Sequence, residues 1–206
     1  MMSKARFEAF SDGVLAVAIT LLVLDLHVDI SPGHSLAEAL ADQWPSFVAY
    51  ALSFLVIGVI WVNHHSILRF ATVIDRVLLF ENLFLLMVVT TIPFTTATLA
   101  DALAHGTGED IRIGALLYGA SMTGMAVAFT LLFARISATR LASGSITRAQ
   151  RRSAVLRFGA GTILYPLTAV IGIWSAPIML AAYGALSIYY LFNQTGYSES
   201  ASETIS

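Results

Sequence analysis

Cysteine is absent from this chain, and charged side chains are scarce. Only 12% of the 206 residues are Asp, Glu, Lys or Arg, whereas soluble domains carry about 25%. Without cysteine the chain has no disulfide framework and no metal site built on thiolates. The hydrophobic fraction of 57% and the mean hydropathy of +0.79 instead indicate an all-α integral membrane protein, with the lipid bilayer as its main partner.

Several functional classes also lack their motifs. The sequence contains no Walker loop, no His-Glu-x-x-His and no Gly-x-Ser-x-Gly, so it predicts neither an enzyme nor a cofactor. Asp12 and Asp25 lie about 20 Å apart along one helix at 1.5 Å per residue, too far for a proteolytic dyad. His64 and His65 diverge by about 100° on a helix, which excludes a shared structural metal ion. A net charge of −2 without a dense basic block predicts no nucleic-acid partner.

Six apolar segments are long enough, or nearly so, to cross a bilayer, which takes about 20 residues. They run over residues 7–28, 46–68, 77–100, 111–134, 154–173 and 175–193. A short turn around Ser175 joins the last two as a tight hairpin, with Trp174 at the membrane interface. The sequence thus predicts a six-helix transmembrane domain over 1–194 and a polar, disordered tail over 195–206.

Positive charges predict the orientation. With six alternating helices, ten of the eleven lysines and arginines fall on the side of the N-terminus, and only Arg112 falls on the other side. Because positive charge stays in the cytosol, both termini are predicted to be cytosolic. The opposite loops are acidic, which either concentrates cations near a pore mouth or simply keeps the loops solvated.

The first helix has a distinct face. At about 100° per residue, one side of it carries a stripe of mostly apolar residues, and Ser11 and Asp12 point well away from that side. The members of the stripe are Phe10, Gly13, Val17, Thr20, Leu21 and Leu24. Such a stripe either lines a pathway or packs against other helices of the bundle.

Polar residues gather near the cytosolic ends of the first three predicted helices. Topology alone brings one set of them to a similar depth, with Asn82 beside it: Arg6, Asp12, Asn63, His64, His65 and Glu81. Buried charges pair or change protonation, so we expect an Asp12–histidine network that locks the first two helices together. A proton relay or pH sensor is the functional alternative, because histidine titrates near neutral pH.

Prolines and small residues predict local helix geometry. Pro93 lies within Thr-Thr-Ile-Pro-Phe-Thr-Thr and predicts a kink whose freed backbone groups bond to threonine hydroxyls. Pro166 predicts a similar kink in the fifth helix. Small residues in the segment 118–124 favour close contact between helices.

These motifs together resemble a known family. Arg6-x-x-x-Phe10-Ser11-Asp12-Gly13-Val14, followed by Ala-x-Ala-x-Thr-Leu-Leu-Val-Leu, is similar to the helix 1 signature of the transmembrane-protein-175 potassium channels. Trp61-x-Asn63-His64-His65 in the second helix also fits. So do Glu81-Asn82 and Ile92-Pro93-Phe94 in the third. The resemblance covers the first half of the chain, and the remaining helices match only in layout.

The resemblance implies a homotetramer in a prokaryotic plasma membrane, with helix 1 of each subunit lining a central potassium pathway. By motif position, Val17, Leu21 and Leu24 form apolar constrictions, and Thr20 is the polar layer linked to potassium preference. A helix-locking network is implied near the cytosolic side, with members Arg6, Phe10, Ser11, Asp12, Trp61, Asn63, His64 and His65. Val17 stands where the family usually has isoleucine, and Glu81 stands where a neutral residue is expected.

Two other functions remain open on the sequence. A proton leak or proton-coupled transporter would use Asp12 with His64 or His65 as carriers. A purely structural membrane scaffold would form a stable oligomer without ion flux.

Overall fold

The structure, a computed structural model, describes residues 3–28, 35–71, 73–138 and 148–192. Within these residues it is all-helical, without a β-strand. The helices are α1 (Lys4–Leu21), α2 (Leu36–Asp42), α3 (Trp44–Leu68), α4 (Arg76–Val89), α5 (Ile92–His105), α6 (Gly108–Ala138), α7 (Arg148–Ile171) and α8 (Ala176–Phe192). A 3-10 turn, Leu22–Asp25, directly extends α1.

Four helical segments of the described chain are long and apolar enough to cross a membrane: Lys4–Asp25, Trp44–Leu68, Arg76–His105 and Gly108–Ser137. They correspond to the first four predicted spans. The last two apolar helices are shorter, Gly159–Ile171 and Ala176–Leu191. Their apolar parts rise only about 20–24 Å at 1.5 Å per residue, against a hydrocarbon core of about 30 Å. The predicted tail, residues 195–206, lies outside the described residues.

The third span is broken in the middle, as Pro93 predicts. Helix α4 ends at Val89 and α5 begins at Ile92, with Pro93 in its first turn. The hydroxyls of Thr90 and Thr91 donate to the carbonyls of Met87 and Val88 at 2.8 and 2.7 Å. The Val88 carbonyl also accepts the backbone N–H of Thr91 at 3.0 Å, so the hydroxyl bonds add to the capping of the end of α4. The fifth helix behaves differently, because α7 continues through Pro166 without interruption.

Helix α6 is the centre of the bundle and packs against α4, α5 and α7, while α3 packs against α1, α5 and α8. Small residues allow the closest approaches, as predicted for the segment 118–124. A Cβ placed on Gly119 would lie 2.6 Å from the Cβ of Ala169 on α7, and one on Gly124 would lie 3.1 Å from Val88 on α4. These glycines therefore set the spacing between α6 and its neighbours.

Gly119→Ala is expected to destabilise the protein by about 1–3 kcal/mol, because the added methyl group overpacks the α6–α7 contact. The matched control is Gly58→Ala on α3, where nothing lies within 4 Å of the added carbon and alanine has the better helix propensity. Thermal unfolding in detergent measures both variants. Equal melting temperatures for the two variants would show that the α6–α7 spacing is not set at Gly119.

Candidate pore face and helix-locking network

Helix α1 has two faces of opposite character. Phe7, Ser11, Leu15 and Ala18 are buried, and this side packs against α3 and α4. The other side is the stripe predicted from the sequence, and within one chain it is exposed: Phe10, Gly13, Val17, Thr20, Leu21 and Leu24. Val17 is 56% exposed and Leu24 71%, so the stripe does not contribute to the core of its own subunit.

The end of this stripe departs from ideal helix geometry. The chain tightens into a 3-10 turn at Leu22, so Leu24 lies on that turn and not on α1 itself. The turn also leaves Val23 exposed, which the regular 100° rotation did not place on the stripe. Thr20 donates its hydroxyl to the carbonyl of Val17 at 2.9 Å. Its oxygen therefore keeps lone pairs available to a cation on the exposed side.

A buried network around Asn82 joins the first three spans near the end where α1 begins. The amide nitrogen of Asn82 donates to Ser11 Oγ of α1 at 2.9 Å, and its amide oxygen lies 2.7 Å from His64 Nε2 of α3. Because an amide oxygen only accepts, Nε2 of His64 carries the proton in this arrangement. Ser11, His64 and Asn82 are each at most 1% exposed, and Ser11 in turn donates to the carbonyl of Phe7.

Asp12 takes a different partner from the one expected. Its carboxylate accepts a hydrogen bond from the indole N–H of Trp61 at 2.9 Å. The direct Asp12–histidine bond predicted from depth is not among the hydrogen bonds of the described chain, where His64 bonds to Asn82 instead. The contact between α1 and α3 therefore combines one carboxylate–indole bond with the separate Asn82 network.

The remaining residues of the predicted network lie apart from these bonds. Arg6 and Phe10 are exposed, and His65 is half-buried. Asn63 is buried, and its amide donates to the carbonyl of Val59 within α3 at 2.8 Å. Sequence reasoning did not place Asn82 in the network, although a polar residue in an apolar run was a usable signal.

A second buried polar cluster was also missed. Ser53 Oγ of α3 lies 2.8 Å from Thr96 Oγ1 of α5 and 3.2 Å from Tyr118 Oη of α6. Three hydroxyls thereby connect α3, α5 and α6. Each hydroxyl residue is compatible with an apolar helix, so only the tertiary contact identifies the cluster.

Charged groups meet at the start of α4. Asp75 caps this helix by accepting the N–H of Leu78 at 2.8 Å, and it also accepts from Arg135 of α6 at 2.6 Å. These two hydrogen bonds, the backbone one first, hold the pKa of Asp75 below its ordinary value of 3.8. Glu81 is half-buried within electrostatic reach of Arg135, and its Oε2 has no hydrogen-bond partner in the described chain.

Asp75→Asn should lower the melting temperature at neutral pH, since asparagine keeps the helix cap but loses the ion pair with Arg135. The folded pKa of Asp75 lies below the unfolded one, so the stabilisation is complete above pH 3.8 and is lost as pH falls through the folded value. The deficit should therefore persist at pH 5 and shrink only below pH 3.8. Melting curves from pH 7 to pH 3 measure it, with Asp42→Asn on α2 as a control for the loss of one negative charge. A deficit independent of pH would attribute the effect to capping.

The end of the bundle where α1 ends contains a cavity of about 140 Å³, lined by charged, polar and apolar side chains. Asp25 and His27 line it from the chain after α1, and Asp101 and His105 line it from α5. Among the residues that the structure describes, no group of three or more acidic or histidine side chains is arranged to hold a metal ion. The cavity is thus a recess with a mixed polar and apolar lining beside the end of the stripe.

Comparisons with known proteins agree with this architecture. The sequence profile described as endosomal/lysosomal potassium channel TMEM175 matches residues 6–93. A potassium channel of Streptomyces collinus is 44% identical over 196 residues, which are 94% of this chain and 94% of that protein. The crystal structure of a lysosomal potassium-selective channel TMEM175 homolog from Chamaesiphon minutus has a TM-score of 0.81 at 33% identity, covering 92% of this chain and 97% of that one.

A vertebrate relative carries a different functional name. The endosomal/lysosomal proton channel TMEM175 of Gallus gallus is 34% identical over 128 residues, which are 56% of this chain and 25% of that protein.

Proposed function

This chain belongs to the TMEM175 family, and on that premise we propose that it is a potassium-permeable cation channel with its gate and filter on α1. The single observation that carries the proposal is the exposed stripe. A membrane-spanning helix presents valine, leucine and one threonine on a side that its own subunit does not cover. In lipid, an apolar side needs no cover, but a threonine layer among constricting side chains fits a pathway for ions.

The proposed constriction consists of Val17, Leu21 and Leu24. Rings of such side chains close a narrow pore by excluding water, and opening widens the ring until water and ions enter. Thr20 is the proposed polar layer, because its hydroxyl oxygen can replace one of the water oxygens that a potassium ion loses when it dehydrates. Neither role requires a cofactor or a bound metal other than the permeant ion.

The proposed assembly is a homotetramer. One α1 stripe does not enclose a pore, and the Arg-x-x-x-Phe-Ser-Asp element occurs once in the chain, so several copies must surround a common axis. The number four comes from the family resemblance. Six spans, cytosolic termini and a prokaryotic plasma membrane complete the proposal, supported by the distribution of lysine and arginine. Arg140 and the tail lie outside the described residues.

The reversal potential of the purified protein in a planar bilayer, with potassium on one side and sodium on the other, tests this function. A shift toward the potassium equilibrium potential is expected. Thr20→Val, which removes the hydroxyl at similar volume, should move the reversal potential toward zero. Thr98→Val on α5 is the matched control, because Thr98 lies off the stripe and, like Thr20, donates its hydroxyl to a carbonyl of its own helix. Robust current that reverses near zero in the unmodified protein would contradict potassium preference.

The second candidate is a proton pathway, which the name of the Gallus gallus relative favours. Here Asp12 and the histidines would carry protons, but in this structure Asp12 bonds to Trp61 and His64 bonds to Asn82. Flux that appears only under a pH gradient, in the same bilayer experiment, would support this candidate over the potassium channel. A stable oligomer with no flux under either gradient would instead support a purely structural membrane scaffold.

A further inference from the structure

Helix α2 is a short helix with three distinct sides. Ala39 is buried against the rest of the protein, and the acidic residues Glu38 and Asp42 share a second side. The third side carries Leu36 and Leu40, and Trp44 follows four residues later as the first residue of α3. These three residues are called the α2 stripe. These side chains are 55%, 41% and 61% exposed, so the subunit leaves about half of this apolar surface uncovered.

Local contacts fix this helix firmly. Ser35 and Glu38 form a capping box, with the backbone N–H of Ser35 donating to Glu38 Oε2 at 2.7 Å and the N–H of Glu38 donating to Ser35 Oγ at 3.3 Å. At the other end, Ser46 Oγ donates to Gln43 Oε1 at 3.1 Å across the junction with α3. The capping box thus stabilises α2 itself, and the bond of Gln43 to Ser46 fixes its junction with α3.

The α2 stripe is continuous with the exposed side of a membrane-spanning helix. Trp44 begins α3, and Phe47 and Val48 continue the uncovered apolar surface into its first turn. Trp174, in the α7–α8 turn at the same end of the bundle, is 78% exposed. Tryptophans at one level of a bundle are characteristic of the membrane–water interface.

We infer that α2 lies in the membrane–water interface, with Leu36, Leu40 and Trp44 inserted among the lipids and Glu38 and Asp42 facing water. An amphipathic helix in this position buries its apolar side about 5–10 Å into the boundary between headgroups and acyl chains. The partner is thus the lipid leaflet at the end of the bundle where α1 ends. This anchoring does not depend on which ion the protein conducts.

Single-cysteine spin labels test the placement, since the chain has no cysteine to remove. Leu40→Cys and Leu36→Cys report on the α2 stripe, and Asp42→Cys is the control on the water-facing side of the same short helix. The full-length protein is labelled and reconstituted in phosphatidylcholine vesicles. Collision of each label with oxygen, which concentrates in lipid, is compared with collision with a water-soluble nickel chelate.

The expected result is a several-fold higher ratio of oxygen to nickel collisions at positions 40 and 36 than at position 42. Equal ratios at the three positions would place the whole helix in water and overturn the inference. Low accessibility to both reagents at position 40, with spin–spin coupling between subunits, would also overturn it, because a second copy of the chain would then cover the stripe. Unchanged melting temperatures of the variants would show that the fold is retained.

Discussion

Replacing Asn82 with leucine is expected to lower the free energy of unfolding by about 2–6 kcal/mol, since two buried groups lose a partner at about 1–3 kcal/mol each. The N–H of His64 would face an apolar side chain, and Ser11 would lose its donor. Leucine has a similar volume, so the change isolates the hydrogen bonds from any cavity. Helices α1, α3 and α4 would lose their shared polar contact.

Thermal unfolding in detergent, followed together with the oligomeric state, measures the effect. Thr98→Val is the control, because Thr98 is half-buried and its hydroxyl donates to the carbonyl of Phe94 within α5 and not to another helix. We expect Asn82→Leu to lower the melting temperature and to favour dissociated subunits, while Thr98→Val leaves both unchanged. Wild-type stability in Asn82→Leu would mean that water or repacking replaces the network and that it does not lock the helices.

Combining Val17→Ala with Leu24→Ala is expected to raise the basal conductance by roughly tenfold, which corresponds to a barrier lowered by about 1.4 kcal/mol. Both side chains are largely exposed in the subunit, so their truncation should widen the proposed constriction and reduce the cost of wetting it. The fold should be little affected, since neither residue belongs to the core.

The matched control is Leu15→Ala on the buried side of the same helix. Leu15 is 1% exposed, so its truncation should destabilise the protein by about 2–5 kcal/mol without raising the conductance of intact channels. Single-channel recording separates conductance from the number of folded channels. If the double variant conducts like the wild type while Leu15→Ala alters the current, the opposite side of α1 lines the pathway.

Much of the helical framework follows from the sequence, because apolar length and periodicity are local properties. The rotation of 100° per residue separated Val17 and Leu21 from Ser11, and the structure has the same separation. Pro93 located the break in the third span for an equally local reason, since proline lacks the backbone N–H. Pro166 carries the same chemistry without a break, because the helices around α7 determine whether the chain bends there.

The pairing of polar groups could not be predicted in the same way. Topology gives the depth of a residue in the membrane but not its direction around the helix axis. By depth alone, Trp61 and His64 were therefore equally compatible partners for Asp12. Only the packing of α1 on α3 selects the indole of Trp61. Asn82 serves both Ser11 and His64 because α4 crosses next to both helices. The sequence indicated its neighbour Glu81 as a member of the polar set, because a charge is costlier to bury than an amide.

The break at Thr90 and Thr91 divides the third span into two helices, α4 and α5, that have different partners. The hydroxyl oxygen of Thr91 lies 3.2 Å from Ser121 Oγ of α6, so a hydrogen bond holds the break against α6. On one side of the break, α4 is linked to α1 through Asn82. On the other side, α5 is linked to α3 through Thr96. A tilt of α4 would therefore pull on α1 through Ser11 and on α3 through His64.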